Sequence, residues 1–468
     1  MSHVSQQSPL RVLELFAGVG GFRCALESTK TPTESTEDPA PGYQVVWANQ
    51  WEPDAKRQWA ADIYRWHWPG ELDGRDIRAV LSDPHTLARL EELRPDVLVG
   101  GFPCQDYSVA QPVRRAHGLA GDKGQLWWSV HDLLKQLRER GQPVAHLILE
   151  NVDRLLSSPA GARGRDFAVI LGSLLELGYA VEWRVVNAAD YGYPTRRKRL
   201  YILAHHQHTA LGRAALAAAA NAHSARQWLT QDGAIARGLP GDTNTETGLL
   251  LPHELPQLLA DTELSPAKSP FANAGLCACG QVWTAPIAAR SSADFTAFVG
   301  QAQPLTLGDV VAGTTVVPEA FFIPEDQLPR WQACKGAKRI PRVSATGHVY
   351  TYSEGAMAFP DPLDRPARTV ITSEGGASPS RTTHVVRHAD GRLRRLTPEE
   401  VEALMGFARG HTALDGIRPA QRVALMGNAI VVGVVRQLGW GLLQARVQAA
   451  PGMGTSSPVR EGYSLDGA

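Results

Sequence analysis

The segment Glu14-Leu15-Phe16-Ala17-Gly18-Val19-Gly20-Gly21-Phe22 decides the architecture, because it joins an apolar strand pattern, Arg11–Phe16, to a helical one, Phe22–Ser28, through a glycine-rich turn. Glycines at such a turn let backbone amides approach a ligand and face its anionic group at the start of the helix. A dinucleotide fingerprint wants Gly or Ala three residues after Gly20, where Arg23 stands, and no Gly-Lys-Ser/Thr follows for a phosphate loop. A tight turn that binds nothing is the plain alternative.

The same rhythm continues on both sides of the turn. Gln44–Ala48, Asp96–Gly100, His146–Glu150, Val181–Val186 and Arg199–Leu203 read as strands; Pro53–Tyr64, Leu126–Arg138 and Asp166–Leu177 read as helices. This alternation predicts an α/β domain, a parallel sheet with helices on both faces. The Thr/Ser/Pro/Glu stretch Ser28–Gly42 interrupts it as a solvated loop. After Ala204 the alternation stops. An alanine-rich helix, Ala210–Arg226, precedes a long region of short runs, turns and prolines up to about Asp364. Patterning returns at Arg365–Ile371, in a helix at Thr397–Met405 started by Thr-Pro-Glu-Glu, and in a last helix, Ala429–Gln444. The expected division is residues 1–204 with 365–449 as one domain, 205–364 as a second, smaller and irregular one, and 450–468 as a disordered tail.

Composition agrees with two packed units: 468 residues is about three times the ~150 residues of a typical domain. With 43% hydrophobic and 20% charged residues, the chain is neither fibrous nor wholly disordered. Lys plus Arg balances Asp plus Glu at 47 each, so any nucleic-acid-binding surface must be local. No apolar run reaches the ~20 residues that span a bilayer, and Ser2–Pro9 is polar, so a cytoplasmic protein without a membrane partner is expected. The five cysteines, at 24, 104, 277, 279 and 334, are too scattered for a disulfide framework.

Chemistry-bearing residues cluster where strands end. Gln50 and Trp51 follow the second strand, the place from which such folds contact a ribose and adenine; Trp51 could offer a ring face or be core. Pro103-Cys104-Gln105 follows another strand, where Cys104 is a nucleophile candidate or a small buried hydrophobe. Glu150-Asn151-Val152 brings a carboxyl to the same edge, and alternation sends Arg197 and Arg199 to one face, where they could pair with Glu150 or a phosphate.

Together, and in this order, the Phe-x-Gly-x-Gly-Gly turn, Pro103-Cys104-Gln105, Glu150-Asn151-Val152, Arg197-x-Arg199 and Gly427-Asn428-Ala429 resemble the DNA (cytosine-5) methyltransferase family of prokaryotic restriction-modification systems. The resemblance covers roughly Arg11–Ala204 and Arg365–Leu443. It implies a Rossmann-like S-adenosylmethionine-dependent methyltransferase sheet plus a target-recognition domain, methylating carbon 5 of cytosine in double-stranded DNA without a metal. By that resemblance Phe16, Gly18, Gly20, Gly21, Gln50, Trp51, Asp76, Ile77, Pro103, Leu126, Asn428 and Ala429 bind the cofactor, with Trp51 on the adenine ring and Asp76 on its amino group. Cys104, Glu150, Arg197 and Arg199 carry the chemistry, and Gln105 and Ser108 face DNA. The C-terminal helix is expected beside the first strand. Gln50 stands where Glu is usual, Lys123 where Arg is, and Thr195 where Gln precedes the arginines.

The chemistry explains these residue types. Carbon 5 of cytosine becomes nucleophilic once a thiolate adds at carbon 6, and sulfur both attacks and leaves well. Charge developing on ring nitrogen 3 needs a proton, which Glu150 can supply, while Arg199 holds Glu150 and the base carbonyl. The target base must leave the stack first. A tRNA cytosine methyltransferase would share these residues, as would, without activity, a DNA-binding regulator; the roughly 160 residues before Arg365 favour a DNA enzyme with a recognition domain. There Arg330, Lys335, Lys338, Arg339 and Arg342 form the best candidate DNA-facing surface. Cys277-Ala278-Cys279 is a poor metal site, its thiols too closely spaced and without a second pair. A monomer is expected, with a cognate restriction endonuclease that makes no stable contact with it.

Overall fold

A computed structural model describes residues 8–29, 42–53, 55–102, 126–159, 161–243, 251–254, 268–290, 292, 294–343, 347 and 349–450. The strands run β1 (Leu10–Leu15), β2 (Tyr43–Asn49), β3 (Leu72–Asp73), β4 (Val97–Gly101), β5 (His146–Asn151), β6 (Tyr179–Asn187) and β7 (Lys198–His206), followed by β8 (Gly241–Asp242), β9 (Leu251–Glu254), β10 (Ala274–Ala278) and β11 (Gln281–Ala285). All but β8 join one ten-stranded sheet in the order β3-β2-β1-β4-β5-β7-β6-β10-β11-β9.

Period-two alternation sorts side chains into two apolar layers. Val12 and Ile148 face one layer, with the helix Gly21–Glu27 and the C-terminal helix Val432–Ala449; Leu13, Leu15, Leu147 and Leu149 face the other, with Leu126–Glu139 and Arg165–Glu176. Both faces are covered, as the patterning predicts.

Two features depart from the expected organisation. From β3 to β5 the sheet is parallel, but β7 lies antiparallel between β5 and β6. Only ten residues separate β6 from β7, fewer than a parallel crossover needs. Second, β10 pairs antiparallel with β6, and β11 and β9 follow, so these three strands extend the main sheet. The helices Ala210–Ala218 and Ala234–Gly238 pack on this extension; buried Glu182 of β6 accepts the Ala234 amide at 2.9 Å. A small separate core of Ile323, Trp331 and Val385 lies within residues 294–396, whereas Leu307, Ala367 and Val370 of the same range join the main apolar layer. That range contains a two-stranded ribbon, paired across Lys338–Val343 and Val349–Glu354. The C-terminal helix packs on Gly21–Glu27 and Ala234–Gly238, with Tyr43 donating to the Gly439 carbonyl at 2.7 Å, and shares its apolar layer with Leu10 and Val12 of β1. The stretch Pro419–Ala449 is long and apolar enough by composition to cross a membrane, and 67% of its most apolar window is buried inside the protein, which accounts for that apolarity.

Candidate active site

The sheet order puts β1 between β2 and β4, so connections leave in opposite directions on either side of the β1–β4 gap. Ligands of open α/β sheets bind at such a switch point, beyond the carboxyl ends of the strands. The glycine turn follows β1, so topology places it there, and β4 ends at the same gap with Gly101. Pro103, Cys104, Gln105 and Ser108 lie outside the described residues, as do Lys123 and all of the expected tail but Ala450.

The turn is built by backbone conformation and close packing. Phe16, Gly18 and Gly20 have φ of 54°, 57° and 85°. A Cβ on Gly20 would lie 2.2 Å from the Trp68 ring, and one on Gly21 2.7 Å from Ile430, whereas one on Gly18 would meet nothing within 4 Å among the described residues. Among those residues Gly18 thus opens outward while its neighbours are clamped from behind. Buried Gln50 accepts the Gly18 amide at 2.8 Å through Oε1. Trp51 is half-buried beside it.

Residues that the motifs did not single out complete this floor. Asn49 donates to the Asp73 and Arg75 carbonyls at 3.0 and 2.9 Å, shaping the bend that presents Asp76. Asp76 caps the helix Ile77–Leu81 through the Arg78 amide and pairs with the Arg78 guanidinium at 2.6 Å, which holds its carboxyl below the usual range. Part of its acceptor capacity is therefore already used. Ile77 is buried in the apolar layer, so its side chain is core and not an open lining, whereas Leu126 packs only partly against that layer. From the C-terminal side, His411 donates from Nε2 to the Val19 carbonyl at 2.7 Å; burial pushes its pKa down to about 4, so the ring is neutral at pH 7. Exposed Asn428 and half-buried Ala429 follow Gly427 and precede Ile430, which touches the turn. Beneath the turn Glu14 is wholly buried, accepts from Tyr64 at 2.9 Å and has its pKa pushed up to about 8 by desolvation.

On the other side of the gap, β4 and β5 pair in parallel with Gly101 opposite Glu150. A Cβ on Gly101 would lie 3.1 Å from Glu150 Oε2, so the carboxyl sits against the strand end three residues before Cys104. Arg199 Nε pairs with Glu150 Oε1 at 2.8 Å. Burial raises the Glu150 pKa, opposed by the Arg199 and Arg197 charges. Asn151 holds the Phe102 carbonyl at 3.2 Å and so positions the backbone leading into Pro103. The Glu-Asn-Val motif contained that signal; His411 and Trp68 carried none.

Arg197 corrects the expectation of a second catalytic cation. Its guanidinium is buried and donates to the Val370 and Gly427 carbonyls at 3.1 and 3.0 Å. It ties the start of β7 to Val370 and Gly427, and its charge acts on Glu150. Thr195 bridges to Ala367 in the same seam.

The basic stretch also divides. Arg330 is exposed, and Lys338, Arg339 and Arg342 lie on a fully exposed strand. Lys335 is 2% exposed and donates Nζ to the Arg381 carbonyl at 2.8 Å and to that of Thr383, so it cannot face DNA; burial lowers its pKa to about 8. Cys277 is buried and Cys279 exposed, both free thiols, and among the described residues no group of three or more His, Cys, Asp or Glu could hold a metal ion.

This fold and edge define a Rossmann-like methyltransferase. Residues 10–248 match the family described as C-5 cytosine-specific DNA methylase. The chain is 35% identical to the Type II methyltransferase M.Sau3AI of Staphylococcus aureus over 92% of its own length and 94% of that protein's. It is 31% identical to the Type II methyltransferase M.HhaI of Haemophilus parahaemolyticus over 42% of this chain and 50% of the other. In fold it is similar to an Entamoeba histolytica methyltransferase, with a TM-score of 0.53 and 15% identity over 94% of this chain and 99% of the other. The chain belongs to the cytosine-5 DNA methyltransferase family: it transfers a methyl group from S-adenosylmethionine to carbon 5 of cytosine at specific sites in DNA.

Proposed function

We propose that methylation runs through a covalent Cys104 adduct assisted by Glu150 and Arg199, on a base flipped out of the duplex. The observation that carries this reading is the Glu150–Arg199 pair set against Gly101, three residues before Cys104. The Cys104 thiolate adds to carbon 6, and the electron pair displaced toward nitrogen 3 is met there by a proton that Glu150 holds or shares. Its raised pKa suits that role, since the protonated form persists to higher pH than in a free carboxyl. Arg199 keeps the carboxyl aimed and meets the base carbonyl. Carbon 5, made nucleophilic, gains the methyl and gives its proton to a base, and nitrogen 3 returns its proton to Glu150 as Cys104 is expelled and the ring regains its double bond.

The residues around the glycine turn suit S-adenosylmethionine: free space over Gly18 among the described residues, a hydroxyl partner in Gln50, an aromatic face in Trp51 and exposed Asn428 closing from the C-terminal side. When bound, that donor supplies an electrophilic methyl on a sulfonium. We further infer that residues 294–396 select the sequence and that the enzyme protects host DNA against a cognate restriction endonuclease, in keeping with its Type II relatives.

A duplex carrying 5-fluorocytosine tests the adduct, because fluorine cannot leave as a proton does. A denaturant-stable complex that requires S-adenosylmethionine is expected. Absence of that complex, with Cys104→Ala still methylating, would remove Cys104 from the mechanism.

A further inference from the structure

The ribbon within residues 294–396 is built to present one side chain. Call its strands β13 (Lys338–Val343) and β14 (Val349–Glu354), numbered after the pair formed by β8 with β12 (Ala288–Ala289). Register places Ile340 opposite Tyr352 and Arg342 opposite Tyr350, so these four share one face, while Arg339, Val343 and Val349 share the other. Both faces are open: Ile340 and Tyr350 are each 42% exposed, and Val343 and Val349 65% and 66%. Exposed apolar residues on an uncovered ribbon mark an interaction surface.

The Arg342 guanidinium lies 4.0 Å from the centre of the Tyr352 ring. Tyr352 donates its hydroxyl to Glu354, which pairs at 2.9 Å with Arg381, and Arg381 donates to the Gly336 carbonyl at 2.6 Å and to that of Gly355 at the base of the ribbon. This relay fixes Arg342 in place, and a fork held in advance loses less freedom when it binds. Charge favours a polyanion, since Lys338, Arg339 and Arg342 lie on one strand and the ribbon carboxylate Glu354 is neutralised by Arg381. Size favours duplex DNA: six residues span about 20 Å and paired strands lie about 5 Å apart, a ribbon that fits the ~12 Å major groove.

We propose that β13–β14 enters the major groove of the target duplex and that Arg342 determines specificity by reading the O6 and N7 edge of a guanine, with Arg339 on phosphate. This rests on the reading that residues 294–396 select sequence. The test uses the full-length enzyme with S-adenosylmethionine on duplexes randomised around the methylated cytosine, read by bisulfite sequencing.

Arg342→Gln and Arg342→Lys should both relax preference for guanine at one position by roughly 5- to 150-fold, because a lysine point charge cannot replace a two-pronged contact. Arg339→Gln should slow all sites alike and leave the motif unchanged. If Arg342→Lys restores the wild-type motif and rate while Arg342→Gln slows every site equally, Arg342 contacts phosphate and the proposal fails. An unchanged motif in both variants also overturns it. Replacing residues 338–354 by a short glycine turn separates the two levels. A motif that survives this removes the ribbon altogether, whereas a motif lost here but intact in Arg342→Gln removes only the assignment to Arg342.

Discussion

Two basic stretches of this chain, Arg196–Arg199 and Arg330–Arg342, look alike in sequence, and each divides its cations between inside and outside. In the first, Arg197 is spent on the Val370 and Gly427 carbonyls while Arg199 reaches the Glu150 carboxyl. In the second, Lys335 is spent on the Arg381 and Thr383 carbonyls while Lys338, Arg339 and Arg342 stand in solvent. A cation surrounded by backbone carbonyls holds the fold together; one left facing a carboxylate or solvent is available to substrate. Sequence proximity does not distinguish the two, because the sorting depends on which distant carbonyls arrive beside each side chain.

The largest expected effect tests the first stretch. Arg199→Ala should slow methylation by on the order of 10²-fold, as removal of one preorganised donor does, with little change in melting temperature. Arg197→Ala should instead lower stability by about 3 kcal/mol, since two carbonyls lose charged donors inside the protein. If Arg197→Ala melts like the wild type yet loses rate as Arg199→Ala does, the distinction collapses.

The buried carboxyl Glu14 extends the comparison to acids. Its pKa rises from 4.5 to about 8 on folding, so the folded state keeps a proton that the unfolded chain loses between those values. That group's stabilisation is full below pH 4.5 and declines as pH rises to about 8. Melting temperatures across this range should fall less steeply for Glu14→Gln than for the wild type; parallel curves would show that Glu14 is not held neutral.

Within the second stretch, Lys335→Ala should cost about 2 kcal/mol of stability through its lost charged hydrogen bonds and leave the salt dependence of DNA binding unchanged. Arg339→Gln should do the reverse, reducing the slope of log affinity against log salt by roughly 0.9 if it contacts one phosphate. A lower salt slope for a well-folded Lys335→Ala would return that lysine to the DNA surface.

The smallest effect concerns the glycine turn. Gln50→Glu keeps an acceptor for the Gly18 amide and adds a charged one for a ribose hydroxyl, so S-adenosylmethionine should bind tighter by about 1 kcal/mol in calorimetry. Unchanged or weaker binding would mean that the side chain does not reach the ribose.

Much of the fold was legible in the chain. Strands β1, β2, β4 and β5 and the helices after them follow from period-two and helical patterns, and the Thr397 cap forms the expected reciprocal hydrogen bonds with Glu400. Legibility failed where spacing is not local. The short strand β3 and the helices Ile77–Leu81 and Pro84–Glu92 were too brief to stand out. The extension β9–β11 lay in a region read as another domain, since its strands gain meaning only from their pairing with β6.

By itself, then, the sequence determined the glycine turn, the strand ends that carry Cys104 and Glu150, and the family, because turn chemistry, alternation and short motifs are written in neighbouring residues. Tertiary structure alone decided that β7 inserts antiparallel, that β9–β11 belong to the main sheet, and that Arg197 and Lys335 are buried while Arg199 and Arg342 are presented. The physical reason is that burying a charge requires partners, and here those partners come from chain segments 46 to 230 residues away.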